Sequence, residues 1–284
     1  MKFGISIPNN QGVTSVRTLV DIAVTAESQG YDSVWVSEHL FHASYVAQRL
    51  DKRPYHEALV VLTAVATATR RVRLGTSVLV LPWHHAARLA KQIASLDQLS
   101  EGRVDLGIGV AQAEDEFINL GVPFSERGRI TDETIDALRC LWQEDVPAFE
   151  GQYYRFSGLR AEPKPVQSPL PILIGGNSAR ALRRVREKGD GWHALSQSSA
   201  DMQAACASLP GKRCSARLML SFEDTPSDKP LDARRTLKGT EEEIREMLTL
   251  YEGAGVEEIV IDANTMDMAL CQARYARFAK AYLG

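Results

Sequence analysis

The sequence has no excess of charge of either sign: 33 Lys and Arg stand against 36 Asp and Glu, for a formal charge of −3. That balance argues against a nucleic-acid-binding face and against attraction to a membrane surface, so an anionic ligand must be met by a local site. No pair among the four cysteines, Cys140, Cys206, Cys214 and Cys271, has C-x-x-C spacing, which leaves reduced thiols in a cytoplasm as the expectation, with Cys140 buried in the apolar run "ALRCLW". The longest apolar stretch, Ala58 to Ala68, is too short and too rich in threonine to span a bilayer, and the apolar run of "MKFGISIPNN" is too short for a signal peptide. The first turn, "IPNNQG", has neither G-x-G-x-x-G nor a P-loop lysine, and no G-x-S-x-G elbow occurs. His84 and His85 are adjacent, and His39 and His42 lack a third ligand at metal-binding spacing, so no metal is expected.

What is present is a repeated grammar. "AESQGYDSVWVS", "DQLSEGRVDLGIGV", "REKGDGWHAL" and "YEGAGVEEIVID" each run from an apolar-periodic helix through a glycine into a short apolar strand. Gly30, Gly102, Gly189 and Gly255 fall where a helix end calls for a left-handed residue. Val16, Leu19, Ala23 and Ala26 share one helical face behind the cap candidates Thr14 and Ser15. Adding strands at Phe3–Ile7, Val72–Leu81, Ile172–Ile174 and Arg217–Leu220 gives about eight strands separated by helices, which predicts an α/β fold of the (β/α)8 TIM-barrel class over residues 1–284. A doubly wound open sheet is the alternative. Segment 143–171, with five prolines and the hairpin-like "PAFEGQYYRF", reads as an insertion between barrel helix 4 and strand 5, serving as a lid or as an external decoration.

In a parallel barrel the chemistry lies at the C-terminal strand ends. Those ends offer Asn9 and Asn10, then Ser37, Glu38 and His39, then "GVAQAEDE", Gly175 to Ser178, His193, and finally Asp262 and Asn264. "PILIGGNSARALRRV" carries a buried strand through Gly175 and Gly176 into a helix starting near Asn177 or Ser178; this is an anion-binding helix N-terminus or a plain cap. His39 is a hydrogen-bond or proton donor to a bound ring, or a satisfied wall histidine; Glu38 orients it or pairs within the wall. "GTSV" from Gly75 puts small residues where a strand should pack, which marks a bulge or a close approach to the backbone. Gly107 and Gly109 in "LGIGV" read as tight packing in a barrel strand.

The segments "AESQGYDSVWVSEH", "RLGTSVLVLPWHHAARLAKQIASLDQLSEGRVDLGIGV", "FINLGVPFSERGRITDETIDALRCLW", "EGQYYRFSG" and "EPKPVQSPLPILIGGNSARALRRVREKGDGWHAL" together resemble the luciferase-like monooxygenase superfamily, most closely its coenzyme F420-dependent oxidoreductases, across nearly the whole chain. The resemblance implies a non-proline cis peptide at Ser77-Val78 behind the cofactor ring. It places His39 and Glu38 at the catalytic position, and Ser77, Val78, Gly109, Gly175, Gly176, Asn177 and Ser178 against the cofactor. Hydride transfer between reduced F420 and a small organic substrate follows, with FMN as the alternative cofactor and a non-catalytic flavin-binding protein as the alternative role. It also implies a homodimer through barrel helices two and three, where "HEALVVLTAVATATRRV" is apolar on more than one face. Where many relatives carry a Gly-Trp-Asn-like run after strand four, this chain has Ala111-Gln112-Ala113. Arg127, Arg129 and the basic residues from Arg49 to Arg53 are candidates for the cofactor's acidic tail.

Overall fold

A computed structural model describes residues 1–226 and 236–284. In chain order the elements are β1 (Lys2–Ser6), α1 (Val16–Ser28), β2 (Ser33–Val36), α2 (Ser44–Leu50), α3 (Ala58–Ala68), β3 (Arg73–Thr76), β4 (Leu79–Val80), α4 (Ala86–Leu99), β5 (Val104–Gly109), α5 (Glu114–Leu120) and α6 (Arg127–Gln143). There follow β6 (Phe149–Glu150), β7 (Arg155–Phe156), β8 (Ile172–Gly175), α7 (Ala179–Lys188), β9 (Gly191–Leu195), α8 (Ser199–Ala207), β10 (Arg213–Phe222), β11 (Thr236–Gly239), α9 (Glu241–Gly253), β12 (Glu258–Asp262) and α10 (Met268–Tyr282). Strands β1, β2, β3, β5, β8, β9, β10 and β12 pair in that ring order, all parallel, and β12 returns to β1 through the register Lys2↔Glu258 to Ile5↔Ile261. The sheet is therefore a closed (β/α)8 barrel, as the alternation of elements predicts.

Several details differ from the sequence reading. Val72–Leu81 is not one strand: it breaks at Ser77-Val78, a cis peptide, and resumes as β4 on β5. β11 adds a parallel strand beside the outer half of β10, a short element with no helix between it and α9 to announce it. Gly30, Gly102 and Gly255 adopt left-handed φ, but Gly189 has φ −90 and is glycine for lack of room, since a Cβ there would lie 2.6 Å from Ile174 Cγ1. Cys140 is half-buried; Cys214 and Cys271 are the buried thiols.

The barrel interior is filled from β2. Trp35 is fully buried and lies flat where Gly75 and Gly107 leave space; a Cβ on Gly75 would sit 2.2 Å from its ring, and one on Gly107 would sit 1.9 Å from the Thr76 carbonyl. Its indole Nε1 donates to Ser33 Oγ at 2.7 Å, and Ser33 donates to Glu258. Arg213 joins Glu258 to Asp105, and Arg73 holds Asp105 from the other side at 2.7 and 2.8 Å. Burial alone would raise the Asp105 pKa, but the two guanidinium groups hold it below the usual range. This ionic network forms the floor at the N-terminal end of the strands, and the C-terminal strand ends form the mouth.

Segment 143–171 contains the β6–β7 hairpin and fastens to α4 and α6. Glu133 accepts the amides of Gln152, Tyr153 and Tyr154 at 2.7 to 2.8 Å, Lys91 donates to the Glu162 carbonyl, and Lys164 Nζ donates to Leu141 O at 2.8 Å. Beside it lies an apolar groove of about 240 Å³ between Ala90, Trp142 and Leu159. Those bonds tie the insertion to the outer helical layer, while the Tyr154 hydroxyl donates to His84 O at 3.2 Å.

Candidate active site at the barrel mouth

Ser77-Val78 forms the centre of the mouth. The Ser77 amide still donates to Val36 O at 2.6 Å, as a continuing strand would, and its carbonyl accepts from Arg217 Nη1 at 3.2 Å. The Val78 side chain turns toward β5 and β8: a Cβ on Gly109 would lie 2.6 Å from Val78 Cγ2, and one on Gly175 would lie 2.7 Å from Cγ1. Both glycines thus have a packing reason to be glycine.

Below Ser77, its Oγ meets His193 Nε2 at 2.8 Å, while His193 Nδ1 meets Ser215 Oγ at 2.8 Å. The imidazole stacks on Trp35 with centroids 4.7 Å apart and planes 4° from parallel. Burial, helped by the positive charges of Arg217 and Arg213, lowers its pKa from 6.5 to about 3, so it is neutral at physiological pH.

At the β2 end, Glu38 and His39 part company. Neighbours in an extended segment point to opposite sides. Glu38 accepts from the Val80 amide at 2.7 Å and pairs with His84 Nε2 at 2.9 Å, pinning the chain that follows the cis bond. Burial pulls the His84 pKa down, but the hydrogen bond and charge of Glu38 outweigh it and the net shift is upward. The carboxylate that meets His39 is instead Glu116, from α5. Its Oε1 accepts the amides of Leu40 and Phe41 at 3.0 and 3.1 Å, and its Oε2 lies 2.5 Å from His39 Nδ1. A carboxylate at Nδ1 orients the ring and leaves Nε2 on its other side. Tyr45 Oη lies 2.5 Å from that Nε2, within hydrogen-bond distance. Tyr55 and Trp83 complete an aromatic wall, with ring centroids 5.6 and 6.0 Å from the imidazole, and Trp83 Nε1 has no hydrogen-bond partner among the described residues.

Across the ring of strands lies the turn after β8. Gly176 has φ +101, Asn177 is tied by its amide to Leu195 O (2.8 Å) and Leu195 N (3.3 Å), and Ser178 Oγ accepts the Ala181 amide at 3.2 Å as the α7 cap. Residues 176–180 are exposed, and the first amides of α7 have no carbonyl of their own helix to bond. With the positive end of the helix dipole they can receive an anion.

The sequence reading missed Glu116, Tyr45 and the packing role of Gly175, while the tight packing expected of Gly109 is what Val78 imposes. The acidic run "AEDE" at the start of α5 is indistinguishable from ordinary charge complementing a helix dipole, and nothing local says that its third acid reaches a histidine 77 residues away.

The profile of the luciferase-like monooxygenase family matches residues 1–213. The chain is 33% identical over 193 residues to an uncharacterized protein of Mycobacterium tuberculosis, covering 64% of this chain and 66% of that one. It is 36% identical over 180 residues to the F420-dependent glucose-6-phosphate dehydrogenase of Amycolatopsis mediterranei (62% and 52% covered). It is 32% identical over 207 residues to the FMNH(2)-dependent dimethylsulfone monooxygenase of Pseudomonas putida (68% and 55% covered). The matched region is thus under two thirds of the length of each of these relatives. Monooxygenase RslO1 from Streptomyces bottropensis superposes with a TM-score of 0.79 at 23% identity, over 100% of this chain and 99% of that one. An F420-dependent secondary alcohol dehydrogenase gives 0.79 at 17% identity, over 99% and 98%. With three quarters of its length under the family profile, this chain belongs to the luciferase-like monooxygenase family.

Proposed function

We propose that this protein is an oxidoreductase that transfers a hydride between reduced coenzyme F420 and a small organic substrate. The observation that carries the reading is His39 at the end of β2, held in one orientation between Glu116 and Tyr45, on the far side of Ser77-Val78 from the anion-receiving turn at 176–178. The cofactor phosphate would meet the amides of Gly176, Asn177 and Ser178, and its ring would lie on Ser77 and Val78. Trp83 Nε1, a buried donor beside His39 that lacks an acceptor among the described residues, fits a ligand in that space. When bound, the deazaflavin supplies the hydride; the chain's part is to exclude water and to hold a proton at His39. Glu38 acts as a positioning group through Val80 and His84. FMN is the alternative cofactor, favoured by the 32% identity to an FMNH(2)-dependent relative. A homodimer through barrel helices two and three, α3 and α4, and a cytoplasmic location belong to the same reading; Val60 on α3 is 61% exposed.

Replacing His39 by Ala tests it. Turnover should fall about 100-fold or more, the usual contribution of a positioned acid or base, with F420 affinity unchanged. Equal loss of binding and no catalytic activity in the parent protein would favour a flavin-sequestering role.

A further inference from the structure

Helix α2 carries a cation, Arg49, over the same mouth. Tyr45 and Arg49 are four residues apart and so leave the same face of the helix. Tyr45 places that face against His39. Just past the helix, Arg53 packs on Gly12 and its Nη1 contacts Met266 Sδ at 3.7 Å, which lays the end of α2 across the loops that follow β1 and β12. Arg49 Nε is buried and has no hydrogen-bond partner among the described residues. The carboxylate it bears on, Asp262, is already held by Arg217 Nε and Nη2 at 3.2 and 2.5 Å. Arg49 nonetheless bears electrostatically on Asp262 and Tyr55, so two guanidinium groups share one carboxylate. Next to Asp262, Asn264 is 7% exposed and its Nδ2 also lacks an acceptor among the described residues. Donors withdrawn from water without acceptors are costly, and a ligand that supplies acceptors and a negative charge removes the cost.

We propose that this corner binds an anionic group of the substrate, a carboxylate, phosphate or sulfonate, with Arg49 as its cationic partner, so that the substrates are small organic anions. The inference rests on the reading of the mouth as a redox site and names the substrate class for it. The cofactor's phosphate and acidic tail have the same chemistry, but ring order separates the two places: β8, which leads into the 176–178 turn, stands four strands from β1, whereas Arg49 lies over the β12, β1 and β2 corner.

The test titrates inorganic phosphate, as the probe, into wild-type, Arg49→Gln and Arg49→Lys protein, each with and without saturating F420, by calorimetry, and measures F420 and FMN affinity for all three. Loss of a charge-assisted partner should weaken phosphate binding to F420-loaded Arg49→Gln by about tenfold or more, with Arg49→Lys between, while F420 affinity stays within about twofold. Equal phosphate binding by wild type and Arg49→Gln overturns the proposal. So does a loss of F420 affinity in Arg49→Gln as large as the loss of phosphate affinity, which would give the cation to the cofactor. If the wild type takes up neither F420 nor FMN, the redox reading fails separately, and the phosphate difference on the cofactor-free protein still decides whether Arg49 holds an anion.

Discussion

Acidification should destabilise this fold through one side chain, His193. In the folded barrel it is sandwiched between Trp35, Ser77 and Ser215 and its pKa is lowered from 6.5 to about 3. A base with a depressed folded pKa binds fewer protons folded than unfolded, so its contribution is fully present above about 6.5, falls as pH drops, and levels off below about 3. Between pH 7 and pH 5 the unfolded imidazole goes from mostly neutral to almost fully protonated while the folded one stays neutral, and the integrated linkage costs about 2 kcal/mol. Urea unfolding of wild type and His193→Gln at both pH values isolates it, because every other titrating group is shared. The variant should start less stable but lose about 2 kcal/mol less than wild type on acidification. Parallel losses would show that His193 is not buried as a neutral group and would refute the reasoning.

His84 has the opposite sign. Its pKa is raised by Glu38, so its stabilisation is present below its unfolded pKa and is lost as pH rises through the folded value; Glu38→Gln should flatten the neutral-pH part of the unfolding curve. Gly109→Ala places a methyl against Val78 and should cost about 1–3 kcal/mol, measured by chemical denaturation; Val78→Ala in the same chain should restore part of it, and strict additivity would contradict the contact. Glu116→Gln should weaken the hold on His39 and on the amides of Leu40 and Phe41 together, lowering turnover with little change in cofactor affinity; unchanged turnover would separate His39 from its orienting partner.

The barrel is legible in the sequence because each βα unit repeats the same physical signals: an apolar helical face, a chain reversal and a short buried strand. The small residues from Gly75 to Ser77 mark the break in the third strand for the same reason, since side chains that cannot pack announce that the backbone must do something else. Gly189 shows the limit of that logic, because a glycine required by positive φ and one required by a neighbouring Ile174 look identical in one dimension. The site is less legible than the fold. His39 and the 176–178 turn stand at strand ends and are visible from topology alone. Glu116, Tyr45 and Arg49 come from helices that the strand-end search does not reach, and Glu38, nearest to His39 in sequence, is turned away from it by the alternation of an extended chain.

The central claim, a deazaflavin site at the barrel mouth, is tested most directly by titrating the purified protein with F420 and FMN in parallel, each oxidised and reduced, and following cofactor fluorescence and absorbance. The account predicts F420 binding at about micromolar Kd or tighter, some 8 kcal/mol, with FMN clearly weaker and with both weakened by a bulky residue at Gly176. Binding of FMN in preference to F420 would contradict the choice of cofactor, and binding of neither would contradict the site.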